Sequence, residues 1–130
     1  MPEILIHTKK KTEVISITRD VEKFVAGIKE GLCFLYLPHA TAALTINESA
    51  DPALKVDFLK ALDGLVPNKA WQHDRIDNNA SAHIKSALVG CSLAIPVKNG
   101  TLALGQWQDV WLCEFDGPRE RKIIVQTVKA

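Results

Sequence analysis

Strand-like apolar runs crowd both ends of this chain, and helical apolar stripes lie between them. Residues 4–8 (ILIHT) and 13–17 (EVISI) read as strands around a lysine-rich turn, with Val14, Ile15 and Ile17 suited to a pleated surface. Val21, Phe24, Val25 and Ile28 then recur at helical spacing, with Thr18 as the expected N-cap and Gly31 as the stop. The continuous run LCFLYL predicts a central strand over 32–37, and AALTIN another over 42–47. Asp51-Pro52 has the form of an N-cap followed by a first-turn proline, ahead of a stripe of Leu54, Phe58, Ala61, Leu62 and Leu65. A further helix is predicted near residues 79–89, with Ala80, Ile84, Ala87 and Leu88 as its apolar face and Gly90 as its stop. SLAIPV and TLAL flank Asn99-Gly100, a strong hairpin signal. WQDVWLCEF and RKIIVQTV then read as a final antiparallel pair turning at Asp116-Gly117-Pro118. The order, close to ββαββααβββ, predicts α+β rather than an alternating α/β fold.

At 130 residues the chain predicts one domain, spanning 1–130, and its 47% hydrophobic content is that of a globular protein rather than a disordered one. The formal net charge is only +1 and the basic residues are scattered, so no nucleic-acid partner is expected. No apolar run approaches the ~20 residues that span a bilayer, so no membrane partner is expected either. The N-terminus lacks the long apolar core of a signal peptide. Cys33, Cys91 and Cys113 are odd in number, far apart and set in apolar runs, which predicts buried, reduced thiols in a cytoplasmic protein.

Polar chemistry concentrates at four strand ends or loops. These are Pro38-His39-Ala40-Thr41, Asn47 to Pro52, the segment WQHDRIDNNASAHIKS, and Gly105 to Asp109. Imidazole is a common metal ligand, and His39, His73 and His83 are three candidates that would leave a coordination position open. Their spacing matches no compact metal motif. Glu48 and Asp51 can act as bases or hold a cation, yet Asp51 is equally explained as a helix cap and Glu48 as a solvent-facing strand residue. Asp74, Asp77, Asn78 and Asn79 are also turn and cap formers, and Trp107 and Trp111 would share one strand face for packing. There is no phosphate loop, dinucleotide fingerprint or nucleophile elbow.

Three blocks in this order, PHATAALTINESADPALKVDF, WQHDRIDNNASAHIKSALVG and IPVKNGTLALGQWQDVWLCEFDGPR, resemble the YjbQ (UPF0047) family. The likeness runs from about Ile4 to Val128. It implies an α+β fold with an antiparallel β-sandwich of about seven strands and two to three helices, assembled as a homotrimer. The activity it implies is that of a secondary thiamine-phosphate synthase, a transferase joining hydroxymethylpyrimidine diphosphate to thiazole phosphate with release of pyrophosphate. Carried onto the matching blocks, the catalytic candidates are His39, Glu48, Asp51, His73 and His83. Thr41, Asn47, Asn78, Lys85, Trp107 and Gln108 are the candidates for binding a small phosphorylated substrate. His39, His73 and His83 are the candidates for a divalent metal, Mg or Zn. Lys85 or Arg119 would neutralise the leaving diphosphate. Gln106 stands where the family pattern has threonine. Two other readings of the same residues are a metal-dependent hydrolase of phosphate esters and a trimeric ligand-binding protein without catalysis.

Overall fold

The computed structural model describes residues 1–69 and 71–130. Eight strands form two antiparallel sheets. They are β1 (Glu3–His7), β2 (Glu13–Ser16), β3 (Glu30–Tyr36), β4 (Ala42–Glu48), β5 (Ser92–Lys98), β6 (Thr101–Leu102), β7 (Gln108–Glu114) and β8 (Glu120–Lys129). The five-stranded sheet has the order β1-β8-β3-β5-β6 and the three-stranded sheet β2-β7-β4. The helices are α1 (Thr18–Glu22), α2 (Pro52–Leu65) and α3 (Ala80–Val89), with a 3-10 turn over Gln72–Arg75. The expected α+β sandwich is therefore present, with eight strands among the described residues against about seven expected.

Period-two burial explains the layering. In β3, Cys33 and Leu35 point inward, while Leu32, Phe34 and Tyr36 stay exposed on the outer face. Ile95, Val97, Ile123 and Val125 meet Ala42, Leu44, Val110 and Leu112 of the smaller sheet in the main core. The smaller sheet is apolar on both faces. Ala43, Trp111 and Cys113 form a second cluster with Leu62, Ala82 and Phe115, so α2 and α3 cover that side. The Phe58 ring meets Trp111 edge-on at 5.6 Å between centroids.

Several local expectations change. β7 and β8 do not pair: β7 lies between β2 and β4, and β8 between β1 and β3, because each carries an inward apolar row for a different sheet. The first helix ends at Glu22 rather than near Gly31. Gly31 lies in β3, where a Cβ would stand 2.1 Å from the Val128 carbonyl oxygen, so its role is close strand approach. Thr18 does not cap α1; its hydroxyl donates to Asp109 and accepts from the Val110 N–H. Ala61 and Leu65 of α2 face outward. The buried side of α3 is Ala80, as expected, with Ser81, Ala82, Lys85 and Ser86 rather than Ala87 and Leu88, since Ser86 donates to the Ala42 carbonyl at 2.6 Å and Lys85 pairs with Asp63. Trp107 falls outside β7 and is 62% exposed, whereas Trp111 is fully buried. Asp51 caps α2 as expected, accepting from the Ala53 N–H at 2.9 Å. Asn99 and Gly100 both have positive φ, 52° and 77°, as the hairpin signal requires.

One ion pair ties the two sheets. Glu114 ends β7, Arg121 begins β8, and their residues are 0% and 1% exposed. The guanidinium grips the carboxylate through both Nε and Nη2, and Nη2 also donates to the Thr41 hydroxyl at 2.8 Å and its carbonyl at 3.1 Å. The Thr8 hydroxyl and the Asp116 N–H complete the carboxylate's partners at 2.8 and 3.0 Å. Burial pushes the Glu114 carboxyl upward, but these donors outweigh it and hold the group below the usual carboxylate range. Its contribution to stability is thus present above the unfolded value and lost as pH falls through the lowered native one. Arg121→Ala should cost about 3–5 kcal/mol, because it strands a buried carboxylate. Urea denaturation measures this, and a loss below about 1 kcal/mol, the worth of an exposed pair, would show that the pair does not hold the sheets.

Candidate functional site

The loop from β3 to β4 places His39 beside the C-terminal half of α3. His39, Ala40, His83, Ser86, Ala87, Gly90 and Cys91 line a cavity of about 270 Å³. A neighbouring cavity of about 390 Å³, lined by Tyr36 to Ala40 and Cys91, shares the His39, Ala40 and Cys91 wall. On its other side the His83 ring meets His73 edge-on, with centroids 4.8 Å apart. Three histidines, His39 from one sequence block and His73 and His83 from another, are therefore brought into one neighbourhood.

Their chemistry differs. The Lys122 backbone N–H donates to His39 Nε2 at 2.9 Å. In the neutral ring that assigns the proton to Nδ1, so the remaining nitrogen of His39 is a donor rather than a lone pair. Burial first, and then the Arg121 guanidinium, lower the His39 pKa and keep the ring neutral. His73 Nε2 is buried without a hydrogen-bond partner among the described residues; the Asp77 carboxylate is 3.7 Å away, beyond hydrogen-bond reach. Among the described residues no three His, Cys, Asp or Glu side chains converge on an ion-sized point. The unpartnered Nε2 of His73 keeps its lone pair or proton available, whereas the His39 tautomer does not suit ligation.

The other candidates are distributed elsewhere. Thr41 is buried in the Glu114–Arg121 network, which gives it a structural role at the root of the His39 loop. Glu48 closes the far end of β4 and Asp51 lies just past it, and the strand's six steps of about 3.3 Å put roughly 20 Å between them and the His39 end. They do not share the histidine cavity within one chain. Asn47 is exposed, with its side-chain oxygen accepting from the Glu48 N–H. Asn78 is exposed with φ of 53°, a left-handed turn conformation that asparagine tolerates. Gln108 closes its own loop by accepting from the Gly105 N–H at 2.8 Å; the adjacent Gln106 is exposed, like Trp107. Lys85 points away from the cavity, since it lies about 200° around α3 from His83. Arg119 pairs with Asp116 at 3.1 Å.

Sequence reasoning missed Cys91 and Ser86 as cavity residues. Burial drives the thiols of Cys33 and Cys113 up to about 11 and about 12, so both are inert core groups as expected, whereas Cys91 is half-buried in both cavity walls. A second polar centre surrounds Asp109 at the far end of the small sheet. Its carboxylate accepts from Ser16 at 2.8 Å and from Thr18 and Ser49, and the Trp111 indole donates to Ser49 at 2.8 Å. Burial opposes ionisation of Asp109, but the three hydroxyls hold its pKa below the ordinary value. The linkage at His39 is measurable. With its native pKa below the unfolded value of about 6.5, the unfolded chain binds a proton first as pH drops. Stability therefore falls from that pH down to the native pKa. The His39 ring resonances should titrate below pH ~6.5, and His39→Gln should remove this part of the stability slope; a midpoint at or above the ordinary value would overturn the assignment.

The family model for UPF0047, YjbQ-like proteins matches residues 2–130. A UPF0047 protein of Archaeoglobus fulgidus is 46% identical over 127 residues, covering 97% of this chain and 99% of the relative. YugU of Bacillus subtilis is 45% identical over 126 residues, covering 93% of each. The crystal structure of a Clostridium acetobutylicum member superposes with a TM-score of 0.93 at 40% identity, covering 98% of this chain and all of that one. A YbjQ-like protein from Sulfolobus solfataricus gives 0.94 at 36% identity, covering 99% and 96%. With the family match, the full-length likeness and the shared fold in agreement, the chain belongs to the UPF0047, YjbQ-like family.

Proposed function

We propose that this protein handles a small phosphorylated substrate at the His39–His83–His73 neighbourhood, in a transferase reaction of the thiamine-phosphate synthase type. The observation that carries the reading is the meeting of His39 and His83, from separate blocks, at one concavity, with His73 packed against His83. Displacing pyrophosphate from a pyrimidine methylene requires charge to be neutralised on the leaving oxygens more than it requires a strong base. His39, neutral with its Nδ1 proton free, is suited to donate to such an oxygen. His83 lines the cavity and His73 backs it, so the pair orients the bound group. A divalent ion, Mg or Zn, would supply Lewis-acid neutralisation of the diphosphate, and the unpartnered His73 Nε2 supports its placement beside His83. That same atom favours a second reading, a metal-dependent phosphate-ester hydrolase.

The assembly is part of the proposal. Leu5, Leu32, Phe34, Tyr36 and Val128 leave an exposed apolar face on the large sheet, and Tyr36 also borders the His39 cavity. Burial of that face between copies supports a homotrimer. The inert buried thiols accord with a cytoplasmic setting, and no helix is long and apolar enough to cross a membrane.

Incubation with hydroxymethylpyrimidine diphosphate and thiazole phosphate, with and without magnesium, should yield thiamine phosphate and pyrophosphate. His83→Ala and His39→Gln should each slow it by about 10²–10⁴-fold without unfolding the protein. Unchanged turnover in the doubly substituted protein would refute the transferase centre. Turnover of a generic phosphate ester that stops with chelator would favour the hydrolase. In sedimentation, the protein should run at three chain masses, and Phe34→Glu should shift it to one; a wild-type monomer would remove the trimer.

A further inference from the structure

We infer a second ligand site, for a phosphate group, on the face of α3 opposite the histidine cavity. A cleft of about 310 Å³ lies there, lined by Lys11, Asn68, Ser81, Lys85 and Phe115, with Asp63 at its mouth. Ser81 and Lys85 are four apart, so both project from one side of α3, and Ser81 sits in its first turn, where the backbone favours anions.

Three observations point to a ligand. Ser81 is only 9% exposed and its side lines the cleft. Lys85 is buried along its length, with its ammonium 5.9 Å from the centre of the Phe115 ring, and its ion-pair partner is Asp63, whose side chain is 65% exposed. Asp63 lies in the last turn of α2, against the negative end of that helix dipole, a place that disfavours a carboxylate. An incoming anion replaces Asp63 at Lys85 with little loss, since Asp63 turns to water. Lys11 is similarly available. It gives Asp116 one of its ligands at 2.8 Å, but Asp116 also accepts from Asn79 at 2.9 Å and from Arg119 at 3.1 Å, so it stays paired when Lys11 swings. Two ammonium groups and a hydroxyl match the three terminal oxygens of a phosphate monoester, and the Phe115 and Pro67 walls accept its organic part. Because α3 carries this cleft on one side and His83 on the other, occupancy here would bear on the catalytic side through one rigid helix.

The inference stands apart from the reaction proposed above, and phosphate titration separates the two. Inorganic phosphate is titrated into the wild type and into Lys11→Gln, Ser81→Ala and His83→Ala variants, with amide chemical shifts as the readout. Saturable shifts centred on Ser81 and Lys85, weakened about tenfold in Lys11→Gln and in Ser81→Ala and unchanged in His83→Ala, are expected. Binding lost only in His83→Ala would place the phosphate in the histidine cavity and overturn this site. No saturation by tens of millimolar phosphate would overturn it as well. Equal affinity for acetate would overturn the phosphate assignment in favour of a carboxylate ligand.

Discussion

The Glu114–Arg121 pair is the constraint to which the other parts of the molecule are tied. It sits in the dry space between the sheets, with Glu114 on β7 and Arg121 on β8. A charge in that position is tolerated only with its oxygens and protons engaged, and here Thr8, Thr41 and the Asp116 backbone complete the set. The geometry is thereby fixed from both sheets at once. It also reaches function, because Thr41 roots the loop that presents His39, and the guanidinium disfavours a second positive charge on that imidazole. A structural ion pair and the protonation state of a candidate catalytic group are thus one electrostatic arrangement.

Much of the fold was legible because its signals are local. The Asn-Gly turn, the Asp-Pro helix start and the alternation in β3 each follow from the conformational preferences of a few consecutive residues. What failed depended on partners distant in sequence. Nothing near β7 and β8 reports that they enter different sheets. The buried row of α3 was misplaced because Lys85 and Ser86 look solvent-facing until Asp63 and the Ala42 carbonyl are seen beside them. The three histidines are legible as candidates, and their meeting is not, since it depends on where the β3–β4 loop comes to rest against α3. Glu48 and Asp51 follow His39 closely in sequence, yet an extended strand carries them to the other end of the sheet.

This separation gives the small sheet two polar ends. One holds His39, close to Cys91 and Ser86; the other holds Asp109 with its three hydroxyl donors and the half-buried Glu48. Between them lies an apolar layer built on Trp111, which gives its indole proton to Ser49 at the Asp109 end while packing its ring against Phe58. Chemistry at either end is thus insulated from the other by the core itself.

The order of the strands also bears on how the chain is made. β7 is the middle strand of one sheet and β8 joins β1 to the rest of the other, yet both come from the last quarter of the sequence. As the chain emerges from the ribosome, β1, β2 and β4 lack every neighbour they will finally pair with until those two strands arrive, while β3 has only β5. Assembly therefore runs against the direction of synthesis, and β1, β2 and β4 must stay unpaired and shielded from other chains while they wait.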